Sequence, residues 1–340
     1  MNLNWNLSDL DKIKKNNIKV LTTFSCGGGS SMGYKLSGCT VLGCVEIDQK
    51  MMEIYKKNHN PKYTFKMAIQ DFNNLHESKI PDEIKNIDIL DGSPPCSVFS
   101  MSGKREAKWG NEHYFREGQE KQVLDDLFFH FINTAKKLNP NYVIAENVKG
   151  LIFGKAKGYV KEIFHEFMQI GYDVQLFVLN SAKMGVPQAR ERTFFIARKK
   201  SLKKPNLSLN FNDEIISFNE ATKNIKENTI RKKLSPRLIP YWRKVNIGQS
   251  LSRAHPKGHN FNTIKINPLL PVNTVTANGP THILPNEPYY LTSKELLRVQ
   301  SFPNDFDVLN LDTQYITGMS VPPFMIKRIV DEMKLQWNIL

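Results

Sequence analysis

Over its first two hundred residues the chain alternates short apolar runs with segments whose apolar residues recur every three or four positions. The runs Ile18–Phe24, Thr40–Glu46, Ile87–Asp91, Tyr142–Glu146, Val174–Leu179 and Thr193–Ala197 read as strands. Asp48–Lys57, Leu124–Lys137 and Tyr159–Ile170 read as helices between them, with Asp48 as an N-cap. This alternation predicts a parallel α/β sheet. From about Lys199 to Pro288, Asn, Lys and Pro become frequent and the periodicity weakens, as expected of a smaller, irregular or β-rich domain. Next, LTSKELLRVQSFP predicts a short helix with a capping-box start at Thr292 or Ser293, stopping before Pro303. Finally, PPFMIKRIVDEMKLQW predicts an amphipathic helix packing back on the large domain. The expected division is residues 1–199, residues 200–303 and a returning segment, 304–340.

A length of 340 residues suits one large and one smaller domain. Lys+Arg 47 against Asp+Glu 33 leaves a formal net charge of +14, which favours a polyanionic partner such as DNA or RNA, with lysine-rich composition drift as the plainer account. No apolar run is long enough to span a bilayer, and MNLNWNLSDLDKIKKNN lacks the apolar core of a signal peptide. A cytoplasmic protein with no membrane partner is expected. The four cysteines, at 26, 39, 44 and 96, show no paired C-x-x-C spacing with downstream histidines, so no metal site is expected, and Cys39 and Cys44 read as core residues.

Cys96 is different. It follows the apolar run ending at Leu90, in GSPPCSVFSMSGK, and is therefore displayed at the carboxyl end of a strand, where open α/β sheets carry their chemistry. Two prolines stiffen its approach, and Ser97–Val123, charged and glycine-containing, reads as a candidate loop to close over a substrate, with Lys104, Arg105, Lys108 and Arg116 available to phosphates, or else as a solvated insertion. In TTFSCGGGSSMGY, Gly27, Gly28 and Gly29 let backbone approach a ligand, and Glu46 stands at the end of the next strand, where a carboxylate accepts ribose hydroxyls. Together they suggest an adenosine-containing cofactor. Glu146, in Glu146-Asn147-Val148, occupies another strand end. Arg190 and Arg192 alternate with Glu191, and a period of two would put both arginines on one face to grip a carbonyl oxygen or phosphate.

In this order the glycine turn, P-P-C, ENV, Q-A-R-E-R, LTSKELLRVQSFP and GMSVPP resemble the motifs of the DNA (cytosine-5) methyltransferases of bacterial or phage type, over nearly the whole chain. The resemblance implies an S-adenosylmethionine-dependent methyltransferase (Rossmann-like) sheet over 1–199, a target-recognition domain over 200–303, and double-stranded DNA as substrate. It passes the nucleophile's role to Cys96, the N3 contact to Glu146 and support of the base to Arg192, with Arg190 holding the site or the backbone. S-adenosylmethionine, leaving as S-adenosylhomocysteine, would stack on Phe24, lie along Gly27–Gly29 and bind Glu46 through its ribose, with Asp71 as the nearest acid after the third strand. Two positions depart from the pattern. Cys26 replaces the first glycine of F-x-G-x-G-G, and Met319 replaces the asparagine of G-N-S-V.

Those residue types suit the chemistry. Carbon 5 of cytosine is a poor nucleophile until a group adds at carbon 6, and an unperturbed thiol is only about 3% thiolate at pH 7, so the site should lower that pKa or take the proton during attack. The base must leave the duplex stack to react. In the smaller domain, Arg231, Lys232, Lys233, Arg237, Arg243, Lys244 and Arg253 can divide between phosphate and base-edge contacts. PVNTVTANGP resembles the family's Thr-containing recognition segment, and His255 and His259 read as loop residues near DNA. Action as a monomer, with a cognate restriction endonuclease encoded nearby, is a further expectation of the resemblance. Competing readings are methylation of cytosine in RNA, a catalytically silent DNA-binding module, and a dinucleotide-dependent oxidoreductase.

Overall fold

The six apolar runs and one further segment form a seven-stranded sheet: β1 (Lys19–Thr23), β2 (Thr40–Glu46), β3 (Tyr63–Lys66), β4 (Ile89–Gly92), β5 (Tyr142–Val148), β6 (Tyr172–Asn180) and β7 (Glu191–Lys199). The structure, a computed structural model, describes residues 2–95, 112–113, 122–123, 126–153, 156–225 and 231–339. Strand order is β3-β2-β1-β4-β5-β7-β6. Strands β3, β2, β1, β4 and β5 are mutually parallel. Strand β7 departs from this parallel arrangement, running antiparallel to β5 with Phe194 opposite Glu146. The ten residues between Asn180 and Glu191 are too few for the crossover that a parallel return requires. Strand β3 has no continuous apolar run and sits at the sheet edge with half-buried side chains, so hydrophobic pattern alone does not find it.

The chain divides into two compact units, one comprising 13–179, 191–210 and 326–340, the other 1–12, 180–190 and 211–325. In the first, the helices are α1 (Gly29–Leu36), α2 (Gln49–His59), α3 (Ile69–Asn74), α4 (Leu127–Leu138) and α5 (Ala156–Gln169). Asp48 caps α2 by accepting from the amides of Lys50 and Met51. Helices α4 and α5 place Phe128, Phe131, Ile163 and Phe167 against Leu90, Val143 and Phe195. Each such side chain, fully buried, contributes roughly 1.5–3 kcal/mol. Side chains alternate across a strand, so Asp91, Glu146 and Arg192 emerge on the opposite face of the sheet from these apolar neighbours. Cys39 and Cys44 are buried free thiols, and burial pushes both up from the usual thiol range.

In the second unit two small cores, one around Val275, Leu296 and Val299 and the other around Leu234, Leu251 and Ile283, carry short helices and two-residue strand pairs. Helix α6 (Ser293–Val299) opens on a capping box in which Thr292 and Glu295 satisfy each other's backbone amides. Helix α7 (Thr313–Met319) follows. Helix α8 (Pro323–Trp337) begins on prolines, and in the sheet unit its Trp337 ring stacks on Tyr142 at 5.1 Å. Among the described residues, no helix is long and apolar enough to cross a membrane.

Candidate active site

The carboxyl ends of β1 and β2 form a glycine turn with a buried acid behind it. Phe24 and Cys26 both have left-handed backbone, φ 51° and 46°. Cys26 thus stands where glycine would be unstrained, a departure that costs the folded chain about 1 kcal/mol. The compensation is local: its amide donates to Glu46 Oε2 at 2.9 Å, while the Asp48 amide donates to Oε1 at 3.0 Å. Glu46 is buried, and burial raises its proton affinity against these two donors. Each carboxylate oxygen retains a lone pair for a further donor.

Gly28 is the N-cap of α1, with φ 81°, and a Cβ there would lie 2.0 Å from His59 Nε2. His59 is buried and stacks on Tyr55 at 4.4 Å, and its Nε2 lies 3.3 Å from the Gly27 carbonyl oxygen, to which the neutral ring donates. Burial holds its pKa down at about 3. Gly28 thus follows a path that packing forbids to a larger residue, leaving backbone N–H groups at a helix start. Asp71 stands in the first turn of α3 with an exposed side chain.

At the neighbouring strand ends, Arg192 Nε lies 3.1 Å from Glu146 Oε1, both side chains being largely buried. Burial lowers the Arg192 pKa and the Glu146 carboxylate opposes that effect. The Arg192 guanidinium also donates to the Glu191 carbonyl at 2.8 Å. Asn147 Nδ2 donates to the Pro94 carbonyl at 3.1 Å, and its Oδ1 accepts from the Val148 amide at 2.8 Å. The ENV strand is therefore tied to the P-P-C segment two residues before Cys96. Cys96 itself, and Lys104, Arg105, Lys108 and Arg116 of the expected covering loop, lie outside the described residues.

Asp91 has no place in the motif reading. It is buried at the end of β4 and accepts from the Tyr34 hydroxyl at 2.9 Å. Burial pushes it up to about 7, opposed by the Tyr34 hydrogen bond, and the Glu146 carboxylate on the same sheet face pushes it further up. A charged residue directly after the apolar pair Ile89-Leu90, at the strand's carboxyl end, is the signal that could have found it.

Arg190 belongs to the other unit. The chain leaves strand geometry at Arg190, so the period-two argument, which needs one continuous strand, does not relate it to Arg192. Its guanidinium is buried and donates to the carbonyls of Val275 and Gly318, both at 3.0 Å. Gln188 Oε1 accepts from the Val275 amide at 2.9 Å, and Gln314 Nε2 donates to the Thr276 carbonyl at 2.6 Å. Gln300 Nε2 donates to the carbonyls of Thr317 and Ser320. Q-A-R, VQSFP, GMSV and TVTANGP are thus joined by buried amide and guanidinium groups. At Gly318 a Cβ would meet the Ala277 amide nitrogen at 2.4 Å, which is why this position holds glycine. Met319, replacing the family asparagine, ends α7 half-buried. Among the described residues, no three His, Cys, Asp or Glu side chains are grouped to hold a metal ion.

A sequence profile described as C-5 cytosine-specific DNA methylase matches residues 18–335. The type II methyltransferase M.DdeI of Desulfomicrobium norvegicum is 25% identical, with 94% of this chain and 89% of that protein aligned. For type II methyltransferase M.NgoFVII of Neisseria gonorrhoeae the identity is 28%, covering 94% and 87%. Among solved structures, a chain described as a DNA modification methyltransferase encoded within a prophage of E. coli superposes with a TM-score of 0.73 at 20% identity, covering 95% of this chain and all of that one, a likeness of fold. With the family profile spanning almost the entire sequence, the chain belongs to the C-5 cytosine-specific DNA methylases.

Proposed function

We propose that this protein methylates carbon 5 of a flipped-out cytosine within one short motif of double-stranded DNA, with S-adenosylmethionine as donor and Cys96 as nucleophile. The observation that carries the reading is the paired Glu146 and Arg192 at the strand ends, with Asn147 fastening that edge to the P-P-C segment.

The residues around the glycine turn fit the donor. The Glu46 carboxylate, fixed by two amides, would accept ribose hydroxyls, Phe24 would stack on the adenine, Gly27–Gly29 would admit the backbone close to the ligand, and Asp71 would supply an acid at the rim. When bound, the donor supplies a methyl group made electrophilic by an adjacent sulfonium. Cys96, as thiolate, adds to carbon 6 of cytosine, and the electron pair moves through the ring to make carbon 5 nucleophilic. Glu146 holds N3 while Arg192 orients Glu146 and supports the base. After methylation at carbon 5, loss of its proton restores the double bond and expels the Cys96 thiolate. Arg190 acts as a positioning residue by gripping Val275 and Gly318.

The type II methyltransferases among the relatives support a role in restriction-modification. The reading extends to phage DNA protection as the other setting, to a monomer acting on DNA in the cytoplasm, at the nucleoid, and to a cognate endonuclease as its counterpart. Base-resolution methylation sequencing of unmethylated DNA, incubated with the protein and S-adenosylmethionine, tests this reading. Methyl groups should accumulate at carbon 5 in one motif, and Cys96→Ser should abolish them while still binding DNA. DNA left unmodified by folded wild-type protein that binds S-adenosylmethionine, or full activity in the variant, overturns it.

A further inference from the structure

Between Arg231 and Glu287 the sequence has no aspartate or glutamate, while four arginines and five lysines fall between Arg231 and Lys265. This carboxylate-free stretch carries the most exposed of the large hydrophobic side chains described, Phe261, at 76%. Its surroundings hold it there. His255 Nδ1 accepts from the amides of Lys257 and His259 at 3.2 and 3.4 Å, and the His255 and His259 rings stack at 4.9 Å, inclined by 12°. Tyr241 packs on His255 at 4.9 Å, fastening the tip to the helix Ile239–Lys244. On the return, Ser250 Oγ donates to the Phe261 carbonyl at 2.6 Å, and the Thr263 amide donates to the Asn260 carbonyl at 3.0 Å. Gly258 and Asn260 take left-handed backbone, φ 62° and 65°, which turns the chain twice within four residues. The backbone is pinned, yet the aromatic ring is left in solvent, in a stretch where Arg243, Lys244, Arg253 and Lys257 are also exposed.

We propose that this tip is the sequence-reading wedge of the protein. The Phe261 ring packs against or between base pairs of duplex DNA, while Arg243, Lys244, Arg253 and Lys257 take the flanking phosphates. The division of labour follows from the chemistry. Uniform positive charge binds any duplex, whereas a rigid apolar ring distinguishes base steps by how readily they unstack. The surface fits a polyanion because the stretch carries its cations with no carboxylate of its own, Arg231 alone being paired in the described ion pairs, with Glu295 outside it. The identity of the partner as DNA rests on the function proposed above.

The test uses binding, so that it stands apart from methyl transfer. The full-length wild-type protein first selects duplexes from a randomised pool. The enriched duplex and a scrambled one are then titrated by fluorescence anisotropy with wild type, Phe261→Ala, Phe261→Trp and the double variant Arg253→Ala with Lys257→Ala, at several salt concentrations. Phe261→Ala should lose at least tenfold of the discrimination between the two duplexes with its salt dependence unchanged, and Phe261→Trp should recover most of it. The double variant should bind both duplexes more weakly, with a salt slope lower by about two. Circular dichroism and melting of each variant should match the wild type, since Phe261 is exposed. Unchanged discrimination in Phe261→Ala, or failure of the wild type to enrich any duplex, overturns the proposal. Phe261-dependent discrimination in a protein that methylates nothing would retain the wedge and remove the proposed activity.

Discussion

Asp91 offers the sharpest test of the electrostatics beneath the glycine turn. Its carboxyl is buried, accepts from the Tyr34 hydroxyl, and has its pKa raised from 3.8 to about 7. A carboxyl that binds protons more tightly folded than unfolded makes stability fall as pH rises from its unfolded pKa to its folded one, here between about 4 and about 7, with no further loss above that window. At about 1.4 kcal/mol for each tenfold change in proton affinity, the ionised side chain costs the folded protein roughly 4 kcal/mol at pH 8, and less than about 2 kcal/mol at pH 5. Asp91→Asn keeps an acceptor for Tyr34 and removes the charge. Urea unfolding at pH 5, 6.5 and 8 should therefore find the variant more stable than wild type, by a margin that widens with pH. His59 acts in the opposite direction. Its pKa is held down at about 3, so it withdraws stability as pH falls from 6.5 towards 3, in both proteins alike. The difference between variant and wild type isolates Asp91. A variant that is no more stable at pH 8, or whose margin does not widen between pH 5 and pH 8, would refute the argument.

Two further substitutions probe the neighbouring geometry. Gly28→Ala puts a Cβ 2.0 Å from His59 Nε2 at a left-handed backbone position and should destabilise the fold by about 2 kcal/mol or more. Thermal melting checks it, and an unchanged midpoint would remove the close-approach argument. Arg192→Ala, which takes away the partner of Glu146, should lower kcat about a hundredfold or more while leaving S-adenosylmethionine affinity intact. Single-turnover methylation and calorimetry separate the two, and a kcat within a few-fold of wild type would count against Arg192 as support for the base.

The sequence by itself determined most of what depends on neighbours along the chain. Six of the seven strands, the Asp48 and Thr292 caps, the glycine turn and the order of motifs were all readable, because alternation, capping and left-handed turns are set within a few residues. Whatever depends on partners brought together from afar needed the tertiary structure. Strand β7 reverses because the chain before it is short, yet its apolar pattern would suit either direction. Arg190 and Arg192 are two residues apart and chemically identical, but one is fixed to carbonyls from residues 275 and 318 and the other to Glu146. Asp91 becomes a weak acid only because sheet and helix close over it beside Tyr34 and Glu146. The physical reason is common to all three: side-chain chemistry is written in the sequence, whereas desolvation and the choice of partner follow from which distant segments the fold packs around each group.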